Sequence, residues 1–401
     1  MNGLDRATEL RLARELTIEL SGGSLSVRRG SEGAHRLSPS LLPLLAAFHR
    51  PQRLEAVVTR FAGEAPFDWM EVTAGVVRLV RAGILVPSGG QNRPVPIGSP
   101  GFGSAPAHIS MLNDDVRTGA FIEAVRRFVR PDDVVLDIGS GTGILAIAAA
   151  EAGARRVYAV ERTEIADAAA AMISRSQAAD RITLVRASSG DVELPERATA
   201  LVSEILGNDP FEEQILAVTR DARKRHLEPE GRLMPQSVRL SAVPVSLSPA
   251  LREAYLFTPE MVERWTRSYG LDFSALPTAT RAQPEVIHVS SERAAACQRR
   301  GPDTVMGEVD LKQPSPRVVF EGRLEPHPPE AVDAIVLHWE ATLVPGVQVT
   351  TDPWRAAPKP TSWRLPVWLL PPPPPGRKRR RMAVRYAFSG VRSKLEVADE
   401  A

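Results

Sequence analysis

Apolar runs alternate with helical apolar spacing along the middle of the chain, from residue 108 to residue 237. Val134–Ile138 is a short apolar run that carries Asp137 near its end. Ile144–Ala152 has the length and composition of a helix, and Arg156–Val160 is the next apolar run. Alternating strands and helices are typical of a doubly wound sheet. We therefore predict an α/β, Rossmann-like domain over residues 108–237.

The pattern changes after residue 238 to short runs rich in β-branched and aromatic residues. Val238–Val243, Ala334–Trp339 and Trp363–Leu370 are the clearest of these runs. They predict an all-β barrel or sandwich domain over residues 238–401. Residues 250–285 interrupt it with a helical and loop-like pattern, which predicts an insertion.

The first 90 residues have a third pattern. Leu16–Leu20 and Ser24–Val27 alternate like strands around a glycine turn, and three helical patterns follow before Gly83. This predicts a small α+β domain over residues 1–90. Residues 91–107 are rich in Gly, Pro and Ser and predict a linker.

Composition limits the cellular setting more than the function. The 401 residues are 43% apolar and carry a net charge of +2, so nothing global favours nucleic acid as a partner. The single cysteine, Cys297, excludes an internal disulfide or a thiolate metal cluster, and no metal site is predicted. The sequence shows neither a signal-peptide pattern nor an apolar run long enough to span a membrane. We expect a cytoplasmic protein without membrane association.

A glycine turn follows the first central strand. Gly139, Gly141 and Gly143 allow a tight turn and a close approach of the backbone to a ligand. Glu161 stands at the end of the next strand, where an acid in this fold class binds ribose hydroxyls. The spacing differs from the dinucleotide fingerprint G-x-G-x-x-G. Together with Asp137, it favours S-adenosyl-L-methionine as the cofactor.

Two glutamates enclose a loop after the strand at residues 200–202. Glu204 and Glu213 together suit a guanidinium, which stays protonated and offers a planar fork of donors. Two carboxylates can bind that fork and align one nitrogen with a reacting carbon. The alternative is that Glu212 and Glu213 form a solvated helix start after Pro210.

Several ordered motifs between His108 and Leu395 resemble the protein arginine methyltransferase family. They are Met111–Thr118, Val135–Leu145, Ser203–Glu213 and Trp265–Ser274. The resemblance implies a doubly wound methyltransferase domain followed by a β-barrel domain with a helical dimerisation arm, and therefore a homodimer. It implies a catalytic role for Glu204, Glu213 and Asp114. The residues that it implies for the cofactor are His108, Met111, Arg117, Asp137, Gly139, Gly141, Gly143, Glu161, Ser189 and Asp191.

Within that resemblance, Arg117 is expected to pair with the methionyl carboxylate, and Met111 to lie near the transferred methyl group. Ser188–Asp191 maps to the adenine contact, although Gly190 stands where the family commonly has an acid.

The sequence also departs from the family in its substrate region. The family's Thr-His-Trp loop aligns with Thr361-Ser362-Trp363, so Ser362 replaces the histidine that would face Asp114. The aromatic residues that are usual between the two glutamates are absent, with Ile205 and Asn208 in their places. The substrate pocket is therefore expected to differ from that of histone-type enzymes.

Residues 1–90 resemble the winged-helix, PqqD-like recognition elements of ribosomal-peptide maturation, through Leu37-Ser38-Pro39, residues 53–58 and residues 79–85. The resemblance implies capture of a peptide substrate, against the alternative of a generic packing domain. The expected reaction is methylation of an arginine in a peptide or protein, including a ribosomal-peptide precursor. Methylation of a small guanidino metabolite or another side-chain nitrogen, and a non-catalytic scaffold, remain as alternatives.

Overall fold

The computed structural model describes most of the chain in two compact units, Met1–Ser104 and Ala105–Ala401. The described residues are 9–13, 16–21, 24–29, 35–37, 41–61, 75–76, 79–80, 82–88, 105–276, 283–328, 332–355, 361–371, 379–390 and 393–400. The predicted linker lies almost entirely outside them.

The first unit contains two small antiparallel sheets, with strand orders β5-β1-β6 and β2-β3-β4. Its strands are β1 (Glu9–Leu12), β2 (Leu16–Ser21), β3 (Ser24–Arg29), β4 (His35–Leu37), β5 (Gln52–Arg53) and β6 (Leu85–Pro87). Its described helices include α1 (Leu42–Ala47) and α2 (Leu54–Phe61). Their apolar faces form a separate core around Leu10, Leu44 and Phe48, as the helical spacing predicts.

The second unit begins with a five-stranded parallel sheet in the order β11-β10-β7-β8-β9. The strands are β7 (Val134–Ile138), β8 (Arg156–Val160), β9 (Ile182–Val185), β10 (Ala198–Ser203) and β11 (Leu227–Met234). The helices are α3 (Ala105–Asn113), α4 (Asp115–Phe128), α5 (Ile144–Glu151), α6 (Ala166–Arg175) and α7 (Ile215–Arg225), with 3-10 turns at Ala179–Arg181 and Ser189–Asp191. The predicted doubly wound domain is thus confirmed.

The strand order reverses direction at β7, which lies between β8 and β10. β7 ends at Ile138 beside the end of β10 at Ser203, and the Ser203 hydroxyl donates to the Ile138 carbonyl at 2.8 Å. In doubly wound sheets, ligands bind in the crevice at such a switch point, outside the carboxyl ends of the strands. The glycine turn and the loop of the two glutamates leave the sheet side by side at this crevice.

The rest of the unit is an antiparallel β domain. One sheet has the order β13-β19-β17-β12-β14, with β15 paired to β12 and β18 paired to β17; the other is β16-β20-β21. The strands are β12 (Ser237–Ser246), β13 (Glu285–Val289), β14 (Gln298–Arg299), β15 (Thr304–Asp310), β16 (Val318–Leu324), β17 (Ala334–Val344), β18 (Val347–Thr350), β19 (Leu365–Leu369), β20 (Arg381–Phe388) and β21 (Ser393–Glu400). The helices are α8 (Pro249–Tyr255), α9 (Pro259–Tyr269) and α10 (Ser291–Ala295), and the first two occupy the predicted insertion.

One continuous apolar core joins the parallel sheet to the β domain. Phe211, from the loop after β10, is fully buried in this core together with Trp339 and Tyr386 of the β domain. The loop of the two glutamates is therefore held from both sides. Among the described residues, no helix is both long and apolar enough to cross a membrane.

Candidate active site

The glycine turn after β7 has a backbone that other residues would strain. Gly139, Gly141 and Gly143 have φ values of +75°, +55° and +80°. A Cβ added to Gly139 would lie 2.6 Å from Ile205 Cγ2, and one added to Gly141 would lie 2.8 Å from His108 Cε1. The turn therefore needs glycine for two reasons: the positive φ values, and the lack of space for a Cβ at Gly139 and Gly141. It also brings the backbone close to both α3 and the loop after β10.

Asp137 is a buried carboxylate at the end of β7, with 1% of its surface exposed. Neither of its oxygens makes a hydrogen bond of normal geometry to a described residue. Burial raises its pKa to about 8, the charges of Glu161 and Glu204 add to that rise, and the backbone of Ala146 opposes it only in part. A buried carboxylate with so little hydrogen bonding is costly, so this position favours a cationic or hydrogen-bond-donating ligand.

Glu161, at the end of β8, is also buried. Its carboxylate accepts hydrogen bonds from the backbone amides of Gly141, at 3.0 Å, and Thr163, at 2.7 Å. The bond from Gly141 ties this acid to the glycine turn, which follows the neighbouring strand β7. The predicted contact of Glu161 with ribose hydroxyls stays a prediction.

Glu204 and Glu213 enclose the loop after β10, which we call the acid loop (residues 204–213). Burial raises the pKa of Glu204, and the neighbouring Arg117 partly opposes this rise. The pKa of Glu213 is raised to about 8 by burial and then by the charge of Glu204. A positive charge between the two glutamates would lower both pKa values, so the pair has the electrostatics of a cation site.

Arg117 is the cation that faces the acid loop from α4. Its side chain is 7% exposed and forms an ion pair with Glu204 Oε2. A second guanidinium nitrogen donates to Ser362 Oγ at 3.3 Å, and the guanidinium carbon lies 4.5 Å from the centre of the Trp363 ring. The family resemblance predicts that Arg117 binds the carboxylate of the cofactor. No local sequence pattern indicated its ion pair with Glu204.

Asp114 caps the N-terminus of α4 and binds the segment that precedes strand β19. One oxygen accepts from the Arg117 backbone amide at 3.0 Å. The other accepts from Thr361 Oγ1 at 3.0 Å and from the Ser362 backbone amide at 2.6 Å. Asp114 thus binds the backbone of the segment in which the family histidine is replaced by Ser362.

The β domain anchors the acid loop through two tryptophans. Trp363 Nε1 donates to the Leu206 carbonyl at 2.7 Å, and Trp339 Nε1 donates to the Asn208 carbonyl at 3.1 Å. The two rings pack edge to face with centres 4.7 Å apart. Asn208 also accepts from the Arg364 amide at 2.7 Å. Sequence reasoning missed these anchors, since each joins residues far apart along the chain.

Comparison with known proteins agrees with this geometry. Residues 117–234 match the family of ribosomal protein L11 methyltransferases (PrmA). Protein arginine N-methyltransferase 1 of Schizosaccharomyces pombe is 34% identical over 182 residues, 45% of this chain and 52% of that protein. Protein arginine N-methyltransferase PRMT10 of Oryza sativa subsp. japonica is 34% identical over 210 residues, 49% of this chain and 53% of that protein. The chain thus spans about half the length of these curated relatives.

Among solved structures, the Trypanosoma brucei PRMT1 enzyme-prozyme heterotetrameric complex with AdoHcy has a TM-score of 0.62 and 25% identity. The match covers 75% of this chain and 95% of that chain. In sequence and in fold, this chain is similar to protein arginine methyltransferases. Arabidopsis thaliana protein arginine methyltransferase 10 shares the fold with a TM-score of 0.55 and 21% identity, covering 74% of this chain and 98% of that one.

The remaining positions implied by the arginine methyltransferase pattern lie at the crevice or beside it. His108 packs against the glycine turn, and Met111 lies partly buried on the same helix, α3. Ser189 is in the 3-10 turn after β9, where its carbonyl accepts from Arg225 at 2.7 Å, and Asp191 is exposed at the end of that turn. Their contacts with a cofactor stay predictions.

Proposed function

We propose that this protein is an S-adenosyl-L-methionine-dependent N-methyltransferase acting on an arginine guanidinium of a peptide or protein. The observation that carries the proposal is the pair of enclosed glutamates beside a glycine turn, with the pKa of Glu213 raised to about 8 and that of Glu204 also raised. Similarity to arginine methyltransferases makes arginine methylation the expected reaction, and two neighbouring carboxylates with raised pKa values favour a bound cation.

The glycine turn and Asp137 fit S-adenosyl-L-methionine as the cofactor. Without a Cβ, Gly139 and Gly141 let Ile205 and His108 pack directly on the turn, so side chains of the acid loop and of α3 would border a ligand held there. Asp137 offers two buried oxygens without normal hydrogen bonds to described residues. When bound, S-adenosyl-L-methionine supplies an electrophilic methyl group on a sulfonium. Asp137, Glu161 and Arg117 would hold its polar groups, as the sequence predicts.

The acid loop would then bind and orient the substrate. Glu204 uses Oε2 for Arg117, while its buried Oε1 makes no hydrogen bond of normal geometry to a described residue. Oε1 and the Glu213 carboxylate can accept N–H bonds from one guanidinium and draw positive charge toward the nitrogens that they contact. The third nitrogen stays more nucleophilic and is aligned for attack.

Asp114 is predicted to be catalytic, but its oxygens already accept from three donors. We propose that it positions residues 361–362 and that Ser362 supports Arg117 in place of an imidazole. The proton that the methylated nitrogen loses then passes through one hydrogen-bonded water to the Glu213 carboxylate, which is bonded to a neighbouring nitrogen of the same guanidinium.

The N-terminal unit is proposed to capture the peptide, including a ribosomal-peptide precursor. β2 is an outer strand of its sheet, and Ile18 and Leu20 on that strand are 41% and 59% exposed. An outer strand with exposed apolar side chains can accept an extended peptide as an added strand. This feature supports peptide recognition over a purely structural role.

A homodimer through the helical arm is part of the proposal. Around α9, Trp265 packs edge to face with Phe257 and Phe273, and Tyr269 packs against Phe273. Tyr269 and the adjacent Leu271 are 67% and 62% exposed. Exposed aromatic clusters of this kind commonly mark interfaces. A monomer in light scattering at micromolar concentration would contradict the dimer.

The replacement of aromatic residues by Ile205 and Asn208 in the acid loop favours a second candidate, methylation of a small guanidino metabolite. Deletion of residues 1–90 separates the two. A metabolite enzyme keeps its turnover after the deletion, whereas a peptide enzyme that depends on the N-terminal unit loses turnover on its peptide.

The test is mass spectrometry of candidate peptides after incubation with the enzyme and S-adenosyl-L-methionine. We expect a one-methyl mass increase on arginine, lost in Glu204→Gln and Glu213→Gln. Glu212→Gln is the matched control, because Glu212 is the exposed neighbour of Glu213. Retained methylation in both site variants would overturn the assigned roles, and failure of the wild type to bind the cofactor would favour a non-catalytic scaffold.

A further inference from the structure

Another carboxylate of the acid loop, that of Asp209, points away from the two glutamates of the cation site and into the β domain. Asp209 is 1% exposed, and both of its oxygens lie 2.9 Å from the hydroxyl of Tyr386 on β20. One oxygen also accepts from the Phe211 backbone amide at 3.2 Å. Tyr386 is fully buried, so this contact joins the acid loop to the interior of the β domain.

The burial of Asp209 needs an explanation beyond stability. Burial raises the pKa of Asp209, and the hydrogen bonds from Phe211, Tyr386 and Ser393 only partly oppose that rise. Apolar side chains of similar volume often stabilise such positions as well as buried polar pairs do. A hydrogen-bonded pair also has a defined geometry, so it fixes the acid loop at one distance from β20.

The position of Asp209 is coupled to that of Glu213 through Gly207. A Cβ added at Gly207 would lie 2.8 Å from the Asp209 carbonyl oxygen and 3.3 Å from Glu213 Cγ. The loop is therefore folded so that the Asp209 backbone and the Glu213 side chain both pack over one glycine. A displacement of Asp209 would change the space in which Glu213 sits.

We propose that Asp209 and Tyr386 are positioning residues, which set Glu213 at the distance from Glu204 that an arginine substrate requires. This inference rests on the proposed methyl transfer. Neither residue touches the substrate or the cofactor in this scheme, so the pair acts on substrate orientation and leaves cofactor affinity unchanged.

The variants to compare are Tyr386→Phe, Asp209→Asn, Asp209→Ala and the double variant Asp209→Ala/Tyr386→Phe. Loss of one buried hydrogen bond lowers kcat/KM for the peptide by about tenfold in Tyr386→Phe. Asp209→Asn retains an acceptor oxygen and stays within about threefold of wild type, whereas Asp209→Ala falls at least as far as Tyr386→Phe. Because the two residues act as one unit, the double variant is no worse than the poorer single variant.

The matched control is Tyr158→Phe. Tyr158 is a buried tyrosine of β8 whose hydroxyl also bonds to a carboxylate, that of Glu196 at 3.2 Å, away from the acid loop. Tyr158→Phe should keep the wild-type kcat/KM, and every variant should keep the wild-type Kd for S-adenosyl-L-methionine in calorimetry. Full activity in Tyr386→Phe and Asp209→Ala, or additive losses in the double variant, would overturn the proposal.

Hydrogen exchange separates this inference from the proposed function. The amides of residues 207–209 and of Phe211 should exchange faster in Asp209→Ala and Tyr386→Phe than in wild type and Tyr158→Phe. If the wild type does not methylate arginine but the exchange differs as stated, the proposed function fails while the anchoring of the loop stands. Unchanged exchange in both variants refutes the anchoring itself.

Discussion

A single added methyl group at Gly139 would test whether the glycine turn and the acid loop form one site. Gly139 has a φ of +75°, and its missing Cβ would lie 2.6 Å from Ile205 Cγ2. Ile205 is β-branched, so Cγ2 cannot move far without a change of rotamer or of backbone. Since Ile205 follows Glu204, relief of the clash must displace the acid loop.

The expected cost of Gly139→Ala has two parts. A non-glycine residue in the left-handed region costs about 1–2 kcal/mol. An extra methyl group forced into packed space costs about 1–3 kcal/mol more. Gly270 is the matched control, because its φ is +69° and nothing lies within 4 Å of its missing Cβ. Gly270→Ala should therefore show only the first part, about 1–2 kcal/mol.

The assay is urea unfolding of the full chain, followed by tryptophan fluorescence, together with methyl transfer. Gly139→Ala should unfold with a larger loss of free energy than Gly270→Ala and should transfer methyl more slowly, while Gly270→Ala keeps its transfer rate. Adding Ile205→Ala removes Cγ2 and should recover the clash part of the loss, giving a favourable coupling in the double variant. Equal losses in the two glycine variants, or no coupling with Ile205→Ala, would refute the reasoning.

Three further predictions concern charge. The folded-state pKa of Glu213 is raised to about 8, so the contribution of Glu213 to stability falls as pH rises from about 4 to about 8. Urea titrations of Glu213→Gln should therefore show a gain in the free energy of unfolding that grows over that pH range. Asp133, whose pKa is lowered mainly by its bonds to Arg232 and Thr199, should show the opposite sign: the stability advantage of wild type over Asp133→Asn is lost as pH falls through that lowered pKa. Arg117→Ala leaves Glu204 buried without its cation, so it should lower the free energy of unfolding by about 3 kcal/mol and should also abolish methyl transfer. An unchanged free energy of unfolding would contradict the ion pair.

The sequence predicts the parts of the site that depend on neighbouring residues. The glycine turn, the acid that precedes it and the paired glutamates each have a local spacing that chemistry explains, and all of them lie at the crevice where β7 and β10 end. The partners of these residues have no such spacing. Arg117 and Glu204 are 87 positions apart, and Trp363 and Leu206 are 157 apart. Only the folded chain brings them together.

Asp114 illustrates a role that the sequence analysis missed. It is the N-cap of α4, with the Arg117 amide as donor. The resemblance instead suggests catalysis opposite a histidine. The second oxygen of Asp114 accepts hydrogen bonds from the Thr361 hydroxyl and from the backbone amide of Ser362. The bond from the amide does not depend on which side chain stands at position 362. The segment can therefore keep its place although the histidine is replaced.

The charges at the crevice explain why a cofactor and a substrate would be bound there together. Asp137, Glu204 and Glu213 all have raised pKa values, and Arg117 pairs with only one oxygen of Glu204. The like charges raise one another's pKa, so a cation that binds near one carboxylate makes the others easier to ionise. Sulfonium and guanidinium are both cations, and each would help to ionise the carboxylates that bind the other. Positive coupling between cofactor and arginine binding follows, and it should weaken in Asp137→Asn, the variant that removes the buried carboxylate at the end of β7.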